Sequence, residues 1–320
     1  VSTPTVKAGV QEQSDSVLHC KLHLLKNTEN MFDYKLLEAL GAAVDEGGFE
    51  KASRKLHITQ SAVSQRIKLL EESEGQVLIT RTSPPCPTKR GLELLAHYRR
   101  VKLLEDGLCQ KREDEHRSPT TFSIGINADS LATWFLPCVT QFLRKHSVIL
   151  DIHVEDQEQT LSLLKNGRVW GCVSTREVSA HGCAITRLGR MRYSLCCTPD
   201  YMAKWFPGGI SIESIRQAPI TRFNRNDHLN DLFFTGVFGD QSPARCEYYV
   251  PSSESFFQFV LSGIACGILP GLQAKPHLAA NALVDCMPGT FIDVHLFWHS
   301  WSLKTALMDD FTHCLVQNSA

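Results

Sequence analysis

The sequence predicts two fold classes in tandem: a small, mainly α head built as a winged helix-turn-helix, then a larger α/β body. Three observations predict this. Residues 33–74 place apolar side chains at helical spacing. A short β-prone run and the stiff turn Ser83-Pro84-Pro85-Cys86-Pro87 follow directly. From Ser118-Pro119 onward, strand and helix patterns alternate to the C-terminus. With 320 residues, 43% of them hydrophobic and 21% charged, the chain has enough apolar material for two or three packed domains. Its apolar runs, such as Ile264-Ala265-Cys266-Gly267-Ile268-Leu269, stop far short of the roughly 18 residues that a membrane helix needs. Thirty-three Lys and Arg against 34 Asp and Glu leave a net charge of -1, so only a local concentration of charge can mark a polyanionic partner.

Residues 1–30, with Pro4, Gly9 and long polar runs, read as a disordered tail. From Asp33 a first helix carries Leu36, Leu37, Leu40 and Val44 on one stripe and ends at Gly47-Gly48. A second, over 49–56, turns Phe49, Ala52 and Leu56 inward. Thr59 is the expected N-cap of a third, running to about Glu74 with Val63, Ile67 and Leu70 inside. Residues 77–79 read as a short strand, and Thr88 caps a long helix over 89–117. On that helix Leu94, Tyr98, Val101, Leu104 and Leu108 form an apolar stripe among Arg, Lys and Glu, to be covered by the chain's own domains or by a second copy. Further strands are expected at 122–126, 148–154, 169–173, 193–197, 219–223, 246–250, 266–269 and 294–298, and helices at 131–146, 157–165, 253–261 and 302–317.

The chemistry-bearing residues narrow the function. Twelve cysteines from Cys20 to Cys314 without a CxxC, in a chain whose first 30 residues lack the apolar core of a signal peptide, point to reduced thiols in the cytoplasm. His295 and His299 lie on a strand pattern with no Cys or carboxylate at ligand spacing, so no metal site is expected. There is no GxSxG, GxxxxGK[ST] or HExxH, and no GxGxxG after a strand, so neither an enzyme nor a cofactor is expected.

Charge is concentrated where the helices are. Between Lys51 and Leu70 stand five basic residues (Lys51, Arg54, Lys55, Arg66, Lys68) and no acidic one. The third helix also offers Thr59, Gln60, Ser61, Ser64 and Gln65, short or amide side chains that can donate and accept at base edges, while its first N–H groups suit a phosphate. Small Ala52 lets the second helix approach the third, as a helix-turn-helix requires, and Arg81, Lys89 and Arg90 flank it at wing and long helix. The expected partner is double-stranded DNA.

The run from Phe49 through Lys51-Ala52-Ser53-Arg54, Thr59-Gln60-Ser61-Ala62-Val63-Ser64-Gln65-Arg66 and Leu70-Glu71, continued by Gly75, Arg81 and Thr88-Lys89-Arg90-Gly91, resembles the LysR-type transcriptional regulators. Within them it resembles the ArgP branch of arginine- and lysine-responsive regulators, also described as chromosome-initiation inhibitors. Arg81-Thr82-Ser83-Pro84-Pro85, Asn127-Ala128-Asp129-Ser130-Leu131-Ala132-Thr133-Trp134 and Ser252-Ser253-Glu254 carry that second likeness. Two departures stand out: Ser53 replaces the second of two alanines common in the second helix, and Cys86 stands where a basic wing residue is usual.

The resemblance implies a DNA-binding domain over 31–88, a dimerisation helix over 89–117 and, over 118–320, a periplasmic-binding-protein-like effector domain of two lobes. Lobe one takes about 118–198 and 290–320, lobe two about 199–289. It further implies antiparallel pairing of the long helices in a homodimer, association into tetramers, and RNA polymerase as a partner. The effector is expected to be arginine or lysine, held at Asn127, Asp129, Ser130, Asp156, Asp227 and Glu254, with control of amino-acid export or metabolism genes. A replication-inhibiting or nucleoid-like DNA binder without an amino-acid response is the alternative.

Overall fold

The computed structural model describes residues 31–109, 120–178, 182–239, 246–302 and 305–318; the expected tail over 1–30 and the last part of the long helix lie outside them. The chain divides into two compact units between Tyr98 and Arg99.

In the first unit, helices α1 (Tyr34–Asp45), α2 (Phe49–Lys55) and α3 (Gln60–Glu74) follow the apolar spacing residue for residue. Asp33 caps α1 by accepting from the Lys35 amide, and Thr59 Oγ1 accepts from the Ala62 amide at 3.2 Å to start α3. Helix α3 ends because Gly75 adopts φ 66, a left-handed value that costs glycine nothing. Leu37, Leu40, Ala52, Val63, Ile67 and Leu70 meet in one core. Ser53 fits the second helix by turning its hydroxyl back onto the Glu50 carbonyl at 2.8 Å.

The expected strand at 77–79 shrinks to one bridge, Ile79 to Pro87, flanked by Thr80 N–H to Cys86 O and Thr88 N–H to Leu78 O. Pro87 within the bridge and Pro85 two residues before it lack the N–H donors that a longer ladder needs. Helix α4 (Lys89–Cys109) begins where Thr88 Oγ1 accepts from the Gly91 amide. Gly91 has to be glycine: a Cβ there would lie 2.1 Å from the Leu78 carbonyl oxygen.

The apolar stripe expected on the long helix does not form one continuous exposed face. Leu94 is 2% exposed within the core of the first unit and Tyr98 packs against that core, so these two do not await a second copy. Of the remaining stripe, Val101 is half-buried and Leu104 is 38% exposed, while the side chain of Leu108 lies outside the described residues.

The second unit is built on one sheet in the order β2 (Val148–Val154), β1 (Thr120–Ile126), β3 (Gly171–Ser174), β9 (Ile292–Trp301), β4 (Cys183–Cys197), β7 (Cys266–Pro270), β5 (Ile220–Arg222), β6 (Glu247–Tyr249), with β8 (Val284–Asp285) beside β4. Two long strands make it two lobes. The first half of β4 pairs with β9 beside β3, and its last residues, Tyr193 to Cys196, pair with β7. The sequence pattern suggested only the end of β4. Outward-facing Arg187, Arg190 and Arg192 and the irregularity between Arg187 and Gly189 break the apolar alternation of its first half.

Around the sheet lie α5 (Ala128–Ser130) continuing through a π-helical turn (Leu131–Phe135) into α6 (Leu136–Lys145), then α7 (Gln157–Lys165), α8 (Pro199–Trp205), α9 (Ile212–Gln217), α10 (Leu229–Phe238), α11 (Ser253–Leu261), α12 (Gly271–Ala279) and α13 (Ala306–Asn318). Helices α8, α9, α10 and α12 were not expected from the sequence, whereas α7 and α11, comparably short, were. Cysteines whose side chains are described are free thiols, most of them buried. Among the described residues no helix is long and apolar enough to cross a membrane.

Candidate functional site

Two surfaces concentrate the polar chemistry, one in each unit. On α3 the apolar face (Val63, Ile67, Leu70) is buried, which turns Gln60, Ser61, Ser64, Gln65 and Lys68 to solvent by helical geometry alone. Thr59 remains exposed while capping, its hydroxyl 2.9 Å from that of Ser61. Arg66 is half-buried, and Lys68 pairs along the helix with Glu72 at 3.7 Å. Arg81 and Lys89 stand outside the core, both exposed.

Arg90 departs from its expected role. Its guanidinium binds Glu74 at 2.8 Å and Glu93 at 3.1 Å, which raises its pKa and commits it to tying α4 to α3. On α2, Arg54 pairs with Glu50, and Lys55 reaches Glu46 at 2.6 Å, so part of the basic face is matched by acids lying just before Lys51.

In the second unit a cleft of about 440 Å³ opens between the lobes. Its walls are loops at the C-terminal ends of parallel strands: Asn127 and Asp129 after β1, Glu155 and Asp156 after β2, and Asn224, Asn226, Asp227 and His228 after β5. Ser253 comes from the start of α11, and Tyr193 and Val294 from the two crossover strands. Strand ends are where side chains from consecutive βα connections converge in α/β sheets.

Asp129 lies at the centre. Its carboxylate accepts from Tyr193 Oη at 2.8 Å and from Ser253 Oγ at 2.7 Å; burial raises its pKa above 3.8, with those two bonds acting the other way. Burial first, and then the neighbouring Asp129, push the Tyr193 phenol well up. Asn127 is 5% exposed with no partner for its Oδ1, and the Oε1 of Gln273, also on the wall, has none either. Asp156 accepts from Asn224 Nδ2 at 3.2 and 3.3 Å.

The expected effector residues therefore separate. Asn127, Asp129, Asp156 and Asp227 line the cleft. The carboxylate of Asp227 serves its own loop, one oxygen accepting from the Phe223 amide and the other from the Leu229 amide. That loop is fixed from below by Arg222, which binds Asp231 and Glu247 at 2.8 Å and the Asp227 carbonyl at 2.7 Å, lowering the pKa of Asp231 in return.

Ser130 and Glu254 are not on the wall. Ser130 is fully buried behind it, its hydroxyl without a partner, because the turn from Asn127 into α5 directs it inward. Glu254 is exposed beside Ser252, since one position along α11 from Ser253 swings the side chain about 100° away from the cleft. Tyr193, Ser253 and Gln273 escaped the sequence reading. Each belongs to an element remote in sequence from Asp129, and only the fold juxtaposes them.

Residues 116–320 match the family described as LysR substrate binding domain, and residues 34–92 match the bacterial regulatory helix-turn-helix protein, lysR family. The chain is a LysR-type transcriptional regulator. Among relatives of this LysR-type chain, the HTH-type transcriptional regulator ArgP of Pseudomonas aeruginosa is 41% identical over 290 residues, covering 89% of this chain and 95% of that one. The crystal structure of ArgP from Mycobacterium tuberculosis superposes with a TM-score of 0.81 at 32% identity, covering 90% of this chain and 97% of the other. Full-length LysG from Corynebacterium glutamicum with bound effector Arg superposes with a TM-score of 0.71 at 32% identity, covering 90% and 98%. In this LysR-type frame α3 is the second helix of the helix-turn-helix, and the cleft lies in the domain that binds small effectors.

Proposed function

We propose that this regulator reads duplex DNA with Thr59, Gln60, Ser61, Ser64, Gln65, Arg66 and Lys68 of α3. Arg81 and Lys89 then contact flanking phosphates, and binding responds to arginine or lysine held in the cleft. The observation that carries the effector reading is the charge of the wall: Asp129, Glu155, Asp156 and Asp227 line it, and among the described residues no Lys or Arg does. Unpartnered acceptors on Asn127 and Gln273 add a demand for donors. A basic amino acid brings the cation that a desolvated carboxylate needs and several N–H donors besides. The arginine held by the LysG relative is consistent with this.

A response must reach the DNA-binding unit, and α4 crosses the boundary between the units. In the second unit Arg99 donates to the Asn166 carbonyl at 2.9 Å, and Arg100 lies 4.0 Å over the Trp301 ring. Asn166 ends α7, whose N-cap is Asp156 on the cleft wall. An effector that draws on Asp156 thereby acts on the rod that carries α4. Val101 and Leu104 offer the apolar face for pairing α4 in a homodimer, which places two reading helices on a roughly two-fold symmetric site; tetramer formation and contact with RNA polymerase complete the reading, with amino-acid export or metabolism genes as targets.

Calorimetric titration of the full chain with arginine, lysine, glutamate and leucine tests the proposal. Heat of binding for the two basic amino acids alone, together with an altered mobility of an operator complex, is the expected result; no binding by either basic amino acid overturns it.

A further inference from the structure

Among the described residues, two side-chain pairs bridge the cleft between the lobes, and both end on lobe-one carboxylates: Ser253 Oγ donates to Asp129, and Asn224 Nδ2 to both oxygens of Asp156. The second has an unusual construction. The Asn226 amide donates to Asn224 Oδ1 at 2.8 Å, which fixes the flip of the side-chain amide and aims its NH2 at both oxygens of Asp156. Asp156, for its part, stands at the N-cap of α7 without making a side-chain cap bond, so its carboxylate is free of the duty usual at that position.

From this we infer that Asn224 is a specificity-determining residue of the effector site: as an oriented neutral donor from the opposite lobe, it sets how strictly the site demands a positive charge on the ligand side chain. The inference rests on the proposed basic-amino-acid reading and deepens it. With Asn224 in place, Asp156 already has a partner when the lobes approach, so approach does not itself require a cation. An Asp at the same position would face Asp156 at hydrogen-bond distance. Two carboxylates so placed either share a proton, leaving one of them neutral, or need a ligand cation between them. The neutral amide therefore makes the cleft tolerant, admitting a neutral isostere of arginine at a modest penalty, where an acid would make it exacting.

The test uses the full chain, titrated calorimetrically with arginine and with citrulline, which keeps the shape of arginine and lacks its charge, on wild type, Asn224→Asp, Asp156→Asn and the exchanged double variant Asn224→Asp with Asp156→Asn. The arginine-to-citrulline affinity ratio is expected to rise by about tenfold or more in Asn224→Asp, the equivalent of one pKa unit of added interaction. It should fall below wild type in Asp156→Asn. In the exchanged pair it should return to within a factor of about three of wild type, since one acid and one amide again face each other. An unchanged ratio in a folded, arginine-binding Asn224→Asp overturns the inference, and so does an exchanged pair that keeps the single variant's ratio. Failure of the wild-type chain to bind arginine at all would instead sink the basic-amino-acid reading.

Discussion

Replacing Asp129 by asparagine separates charge from shape in the cleft. Both partners of the carboxylate, Tyr193 Oη and Ser253 Oγ, are hydroxyls, able to accept as well as donate. The introduced side-chain amide can thus keep one hydroxyl on its oxygen and give a hydrogen to the other, leaving both hydroxyls paired. Thermal stability should change by no more than about 1 kcal/mol, the net worth of one hydrogen bond. Ligand binding is another matter. A hydrogen bond to a charged partner contributes about 1.5–3 kcal/mol, so a cationic effector should bind roughly 10- to 100-fold more weakly. The pH dependence follows from the raised pKa of Asp129. Its anion is scarce below that pKa, so arginine affinity in the wild type should fall as pH drops through a midpoint above the ordinary 3.8, and in Asp129→Asn this component should vanish. Calorimetry across that range measures both effects, and a DNA mobility shift without effector controls for the head, which should be unaffected. Wild-type arginine affinity in Asp129→Asn would refute the assignment of Asp129 as the cation's partner.

Other substitutions divide the remaining roles. Ser64→Ala or Arg66→Ala should each cost about 1–3 kcal/mol of discrimination between operator and random duplex, whereas Lys89→Ala should weaken both alike and reduce the salt slope by about one, as binding at several salt concentrations will show. Gly91→Ala, despite alanine's better helix propensity, should destabilise the DNA-binding unit by about 1–3 kcal/mol in urea titrations, because its Cβ would meet the Leu78 carbonyl at 2.1 Å. Leu94→Ala should cost about 2–5 kcal/mol of stability as a core deletion, while Leu104→Ala should leave monomer stability within about 0.5 kcal/mol and shift the self-association measured by sedimentation; reversed outcomes would exchange the two roles. Burial holds His299 below its ordinary 6.5 and in the neutral form. The unfolded chain therefore takes up that proton first, and stability should decline as pH falls from about 6.5 toward the folded-state value; a urea midpoint that does not move between about pH 7.5 and 5.5 would contradict this.

How far the sequence carries depends on the range of the interaction concerned. Helices α1, α2 and α3 were legible to within a residue or two because their signals are local: apolar side chains at 3.6-residue spacing, Thr59 as a cap and Gly47-Gly48 after the first helix. Each strand core that reads as a β-branched run was legible for the same reason. The first half of β4 was not, since its arginines and Gly189 resemble a polar turn until β9 is set beside them. Around the cleft, Asn127, Asp129 and Asp156 could be named in advance because they follow strands and precede helices. Glu254 could be named too, wrongly, because the phase of α11 decides whether Ser253 or its neighbour faces inward.

The sequence by itself determined helix α3, its polar outer face and the order of the elements, all of which follow from neighbours in the chain. Only the tertiary structure decided that Leu94 belongs to a core, that Arg90 is already paired, and that Tyr193, Ser253 and Asn224 meet the carboxylates of Asp129 and Asp156. The physical reason is that charge pairing and desolvation act through space: a carboxylate's partners can lie 64, 68 or 124 residues away, where no local pattern records them.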